Sequence, residues 1–177
     1  MKRILSRISK IFDRRINNHV IDCDADPFVP PESEIESHLK SGQLHWKPSL
    51  VKLIFAPRQR KGLVSGPELR EFLVGKPVLN ANVLDYLLRH QSLIPKSWKK
   101  NRFGPRKMKF ILFWGTVFRS ERKYSFVRCL YWDKEGFGGR GNWVTDICYI
   151  YAKWRHYGHN SPAAIIEVHS RPRKEER

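Results

Sequence analysis

Twelve basic side chains crowd one stretch of this 177-residue chain: Arg89, Lys96, Lys99, Lys100, Arg102, Arg106, Lys107, Lys109, Arg119, Arg122, Lys123 and Arg128. They meet a single acid, Glu121, so residues 89–128 carry a net +11 of the chain's +17. Trp98, Phe103, Phe110, Phe113, Trp114, Phe118, Tyr124, Phe126, Tyr131 and Trp132 run through the stretch and just past it. Cations attract phosphates, and aromatic faces stack on bases, so the chemistry that this mixture can do is recognition of nucleic acid. Lys96, Lys99, Lys100, Arg102, Arg106, Lys107 and Lys109 form a segment able to track a phosphate backbone. Trp114, Arg119, Arg128 and Trp132 complete the candidate binding set, with Arg128 expected beside Trp114, where it can donate to a base or make a cation–π contact.

Bond-making chemistry has weaker carriers. Gly136-Phe-Gly-Gly-Arg-Gly141 matches the dinucleotide fingerprint in letters, but the fingerprint must open a helix and here a β-rich segment follows. It reads as a hairpin connection. Asp22-x-Asp-x-Asp26 begins like a calcium loop, yet Pro27 stands where the turn glycine belongs and Ser33 where the bidentate glutamate belongs. His156 and His159 would need a third ligand for zinc, and only Asp146, Cys148 and His169 are near in sequence. Cys129 and Cys148 fall at inward strand positions, where burial raises a thiol's pKa and blunts its reactivity. No catalytic residue, metal or cofactor is therefore expected.

Composition bounds the class. A chain of this length can bury roughly 70% of its unfolded surface and needs no disulfide or metal staple. Its three cysteines, Cys23, Cys129 and Cys148, include no Cys-x-x-Cys spacing, which points to a reducing compartment and a cytoplasmic location. The uncharged run from Phe110 to Phe118 is far short of the roughly 20 residues that a membrane-spanning helix needs.

The elements that must position the basic and aromatic residues can be read in order. Residues 1–20 read as a basic amphipathic helix, with Ile4, Leu5, Ile8, Ile11, Phe12 and Ile16 at helical spacing. Such a helix can pack on the body, enter a nucleic-acid groove or lie on an anionic membrane as a peripheral contact. Residues 21–40 are acidic and proline-containing and read as a linker ending in a short helix near Glu32 to Leu39. Their acidity would let them lie against the basic body. Residues 50–55 read as a strand or short buried segment.

Two helices follow. Ser65-Gly-Pro-Glu68 has capping-box spacing, with Pro67 in the first turn and Gly75 at the C-terminal end. Asn80 or Asn82 can cap the second, with Leu79 stapling onto Leu84. From Met108 the period becomes two. Strands are expected over 108–118, 124–133 and 143–151, the first two paired antiparallel through a short loop. With Phe118 opposite Tyr124, one face holds Phe110, Leu112, Trp114, Phe118, Tyr124, Phe126, Arg128, Leu130 and Trp132, joined by Trp143, Ile147, Tyr149 and Tyr151. The other face is mostly aliphatic, and the two helices are expected to cover only one of them. A short apolar segment over 163–168 and a charged tail over 169–177 follow.

The blocks Val78-Leu-Asn-Ala-Asn-Val-Leu-Asp-Tyr-Leu-Leu88, Leu93-Ile-Pro-x-x-Trp98, Phe113-Trp-Gly-Thr116 and Val127-Arg-Cys-Leu-Tyr-Trp132 come in that order, then Gly138-Gly-Arg-Gly-Asn-Trp143. This order resembles a family of small uncharacterised bacterial proteins over residues 22–164. The resemblance implies one folded unit with these block boundaries. It brings no activity, cofactor or catalytic residue, and the basic start and charged tail lie outside it.

The expected fold is α+β: an N-terminal helical half packed on a three- to four-stranded antiparallel sheet, as one domain over 41–168. The expected function is non-catalytic binding of RNA or single-stranded DNA, with weak sequence preference, through the basic loop and the aromatic sheet face. The alternative is a protein-interaction or assembly module whose aromatic face meets a protein partner.

Overall fold

The computed structural model describes residues 19–99, 109–135, 141–155 and 162–166. The charged tail, and all but the last two residues of the expected basic helix, lie outside the described residues. Val20 already belongs to a strand.

Sheet dominates the fold. Strands β1 (Val20–Asp22) and β3 (Gln43–His45) pair with each other, as do β5 (Leu63–Ser65) and β10 (Lys153–Arg155). The main sheet contains β2 (Ser33–His38), β4 (Val51–Ile54), β6 (Ile111–Leu112), β7 (Thr116–Ser120), β8 (Ser125–Asp133), β9 (Asn142–Tyr149) and β11 (Ala163–Ile166). Its order is β2-β7-β8-β6-β11-β4, with β9 along the other side of β8, and the β6–β11 pairing is parallel. The expected helical N-terminal half on an antiparallel sheet of three or four strands is therefore incorrect. The chain supplies strands from both ends to a mixed seven-stranded sheet among the described residues, and α-helices α1 (Gly66–Leu73) and α2 (Ala81–Arg89) are inserted between them.

Residues 21–40 hold the clearest local correction. Ser33–His38 is a strand, not a helix, and runs antiparallel to β7, with Ile35 opposite Phe118. Glutamates make this hexapeptide look helix-prone, but the open edge of β7 offers backbone hydrogen bonds that an isolated helical turn would lack. Its acids are occupied in the same way. Glu36 accepts from Arg70, at 2.8 Å, and from the Ser125 hydroxyl, and it lies 3.4 Å from Arg119. Burial pushes the Glu36 carboxyl up, but the Ser125 hydroxyl and the two guanidiniums outweigh it and hold the pKa below the ordinary value. Because the folded value is lowered, this stabilisation is complete above the unfolded pKa of about 4.3 and is lost as pH falls through the folded value. The stability advantage of the wild type over Glu36→Gln should therefore be present at neutral pH and shrink below about pH 4. Urea titrations at several pH values measure it, and an advantage that grows on acidification would contradict the assignment.

Both helix starts follow local chemistry. The Ser65 hydroxyl accepts from the Glu68 amide, and the Glu68 carboxylate accepts from the Ser65 amide. Gly75 follows α1 at φ +72°, a left-handed position that suits glycine. Asn80 caps α2 through Val83, and its side-chain amide donates to the carbonyls of Cys23 and Leu39. Asn82 donates to those of Asp22 and Ala25. The two asparagines thus fasten the N-terminal strands to α2.

The helices take opposite faces of the sheet. Leu84 and Leu87 of α2 pack with Ile111, Phe113, Leu130 and Trp143. Leu69 and Leu73 of α1 pack with Leu112, Trp114, Val127 and Cys129. The expectation that one face is left uncovered is corrected accordingly. A break at Phe113–Gly115 explains part of this. Phe118 pairs with Phe126, two residues from the assumed partner, which preserves the face because strand side chains alternate. In an unbroken ladder Leu112 would then lie opposite Trp132, but it lies opposite Cys129. The odd offset moves Leu112 and Trp114 to the aliphatic face and Ile111 and Phe113 to the other.

Candidate nucleic-acid interface

The basic segment begins in a short 3-10 turn, Lys96–Lys99, that Trp98 anchors. Trp98 is buried edge-on against Trp46, with centroids 6.4 Å apart and planes at 87°. Lys96 and Lys99 are exposed. The Lys99 ammonium lies 3.2 Å from the Trp132 ring centroid, a cation–π contact. Trp132 packs edge-to-face on Trp143 at 5.4 Å, and Gly141 approaches so closely that a Cβ there would lie 2.6 Å from the indole. At the other end of the segment, the Lys109 ammonium donates to the Ser97 carbonyl at 3.3 Å. Lys99 and Lys109, the described residues on either side of the segment, thus both contact neighbours at or beside the Lys96–Lys99 turn. Lys100, Arg102, Arg106 and Lys107 lie outside the described residues.

The remaining candidates are dispersed. Trp114 is buried on the opposite face, so it is not beside Arg128. Arg128 is buried too, and its guanidinium meets the Asp85 carboxylate of α2 at 2.7 and 3.0 Å. Phe28 covers it, with its ring centroid 5.3 Å from the guanidinium carbon. Neither side chain has a face open to a base. Arg119 is half-exposed at the far end of the sheet, beside Glu36. Lys96, Lys99, Lys109 and Trp132 are thus brought together, whereas Trp114, Arg119 and Arg128 are not.

The aromatic face expected from the sequence holds a second group, which the candidate binding set did not include. β8 and β9 pair with Phe126 opposite Tyr149, which brings Tyr124 and Tyr151 together one step further on. Tyr124 and Tyr151 are 51% and 64% exposed, with centroids 5.3 Å apart. Tyr149 stacks on Tyr151 at 5.3 Å with planes at 24° and rests on buried Phe126 at 6.0 Å. The signal was present, because alternation already places these tyrosines on one face. What it could not give is that α2, which runs from Ala81 against Phe118 and Phe126 to Leu87 against Trp143, leaves Tyr124 and Tyr151 exposed.

Cys23 and Cys129 are buried and disfavour the thiolate. A hydrogen bond that the Cys129 thiol donates to Cys148, together with burial, pushes Cys129 well above its ordinary pKa, and burial pushes Cys23 up. Gly141 is followed directly by β9, so the helix that a dinucleotide fingerprint requires is replaced by a strand. His156 and His159 lie outside the described residues. Among the described residues no group of three His, Cys, Asp or Glu is placed to hold a metal ion, and no helix is long and apolar enough to cross a membrane.

Neither a family model, nor a curated protein, nor a solved structure matches the chain.

Proposed function

We propose that this protein binds nucleic acid without catalysis, engaging RNA or single-stranded DNA with weak sequence preference. The observation that carries the reading is the concentration of positive charge, with Arg89, Lys96 and Lys99 exposed ahead of the segment, Lys99 over Trp132, and Lys109 bonded to Ser97 after it. A run of cations this dense in the sequence suits a phosphate backbone better than scattered charge. Arg128 and Trp114 drop out of the contact set, because their burial makes them part of the scaffold. Lys96, Lys99, Lys100, Arg102, Arg106, Lys107 and Lys109 remain in it, with Trp132 as the anchor of Lys99.

The test is a salt titration of binding to a single-stranded oligonucleotide. Each phosphate contact contributes about 0.7 to the slope of log affinity against log salt. Lys99→Ala, Lys100→Ala, Arg102→Ala and Arg106→Ala combined should flatten the slope by up to about 3. Unchanged affinity would remove the segment from the interface.

A protein partner is the second reading, favoured by one observation. Phe28, Val29, Ile35 and Leu39 are exposed apolar side chains on or beside β2, the strand at one end of the sheet order. Apolar groups along a strand edge suit pairing with another chain. Concentration-dependent association in sedimentation, with no affinity for polyanions, would favour this reading over the first.

A further inference from the structure

We infer that Tyr124, Tyr149 and Tyr151 form a base-stacking platform for single-stranded nucleic acid, and that this platform gives the protein its preference for unpaired strands. The inference rests on the nucleic-acid reading above and adds to it where the bases sit.

The platform is built into the sheet. Stacked Phe118 and Phe126, 5.5 Å apart, form its buried base, Tyr149 rests on Phe126, and Tyr124 and Tyr151 stand at the surface. The Ile150 amide donates to Ser125 and the Ala152 amide to Tyr149, so the backbone that carries the outer rings is held. Tyrosine has few torsions to freeze, and rings set by a strand lose little entropy when a flat partner docks. An unpaired base offers such a face, whereas a paired base is closed within its own stack.

Charge selects the occupant. Exposed Arg122 and Lys123 occupy the turn before Tyr124, and exposed Lys153 follows Tyr151, interspersed with Glu121 in the same turn, Glu32, whose carbonyl accepts from the Glu121 amide, and Glu34, 3.8 Å from Lys123. Cations within reach of the stacked rings, on a chain of net charge +17, fit a phosphate-linked chain of bases. The platform lies at the opposite end of β8 from Trp132, eight residues or about 27 Å away. The basic segment and the rings can therefore be altered separately.

The experiment measures binding of fluorescent oligouridylate of about ten nucleotides, within the site sizes of known single-strand binders, and of an RNA duplex of equal length. Three full-length proteins are compared: wild type, Tyr124→Ala/Tyr151→Ala, and Tyr124→Phe/Tyr151→Phe. Both side chains are more than half exposed, so thermal unfolding should be unchanged in each variant. Loss of each stacked base weakens binding by about fivefold or more, so the alanine pair should bind oligouridylate roughly 25-fold more weakly. The phenylalanine pair, which keeps the rings, should bind like wild type, and neither variant should change duplex affinity. Undiminished single-strand binding by the alanine pair, or an equal loss on duplex, would overturn the platform while leaving charge-driven binding in place. If the wild type binds neither oligonucleotide, the nucleic-acid reading itself falls, and the platform with it.

Discussion

Replacing Asp85 with alanine is expected to lower the unfolding free energy by about 3–5 kcal/mol. The side chains of Arg128 and Asp85 are 6% and 16% exposed, so the pair lies largely out of water. Removing the carboxylate leaves a desolvated guanidinium whose nearby Phe28 ring is a poor substitute. The cost therefore comes from the stranded charge and exceeds what the intact pair contributes. The double substitution Asp85→Leu/Arg128→Met should recover most of it, since an apolar pair of similar volume removes both desolvation penalties. Urea unfolding of the wild type, the two single variants and the double variant gives the coupling directly. A loss below about 1 kcal/mol for Asp85→Ala would mean that water reaches Arg128, and would reopen that residue as a ligand contact.

Gly115→Ala is expected to cost about 1–3 kcal/mol or more. A Cβ at this position would lie 2.8 Å from the backbone nitrogen and Cα of Asn80, and backbone cannot swing aside as a flexible side chain does. The required shift would strain two bonds at once. Gly115 donates to Leu79 at 2.9 Å and accepts from Leu39 at 2.6 Å. It would also disturb the Asn80 cap at the start of α2. Calorimetric unfolding measures the loss, and an unchanged midpoint would show that the break between β6 and β7 is looser than this contact implies.

What the sequence revealed about the fold follows the range of the interactions concerned. The capping box at Ser65 and Glu68 and the cap at Asn80 were legible because residues three apart settle them. The faces of β7, β8 and β9 were legible because alternation survives a register error of two residues. The break at Gly115 was not, since its cause is the close approach of Asn80, thirty-five positions earlier in the chain. Strand β2 was missed for a similar reason: its glutamates find Arg70, Arg119 and Lys123, partners that no local window contains. For the candidate interface, the basic segment was plain from composition, whereas the contact of Lys99 with Trp132 joins residues thirty-three positions apart. Arg128 was misleading, because a basic residue within an aromatic strand reads alike whether a phosphate or Asp85 neutralises it. The tyrosines were placed on the right face, but which end of that face a nine-residue helix covers is a tertiary fact.

Strand β11 has a consequence for how the chain assembles. It lies between β6 and β4 and is the only bridge between β4 and the rest of the main sheet among the described residues. During synthesis β4 emerges more than a hundred residues before the strand that it pairs with. Until Ala163–Ile166 arrive, Val51–Ile54 has no sheet neighbour, and Val78, which bridges to Ile165, has none either. Contacts this distant in sequence slow folding, because a long loop must close before the ladder forms. The nascent chain therefore carries an unpaired apolar strand through most of its elongation, when self-association is most readily seeded.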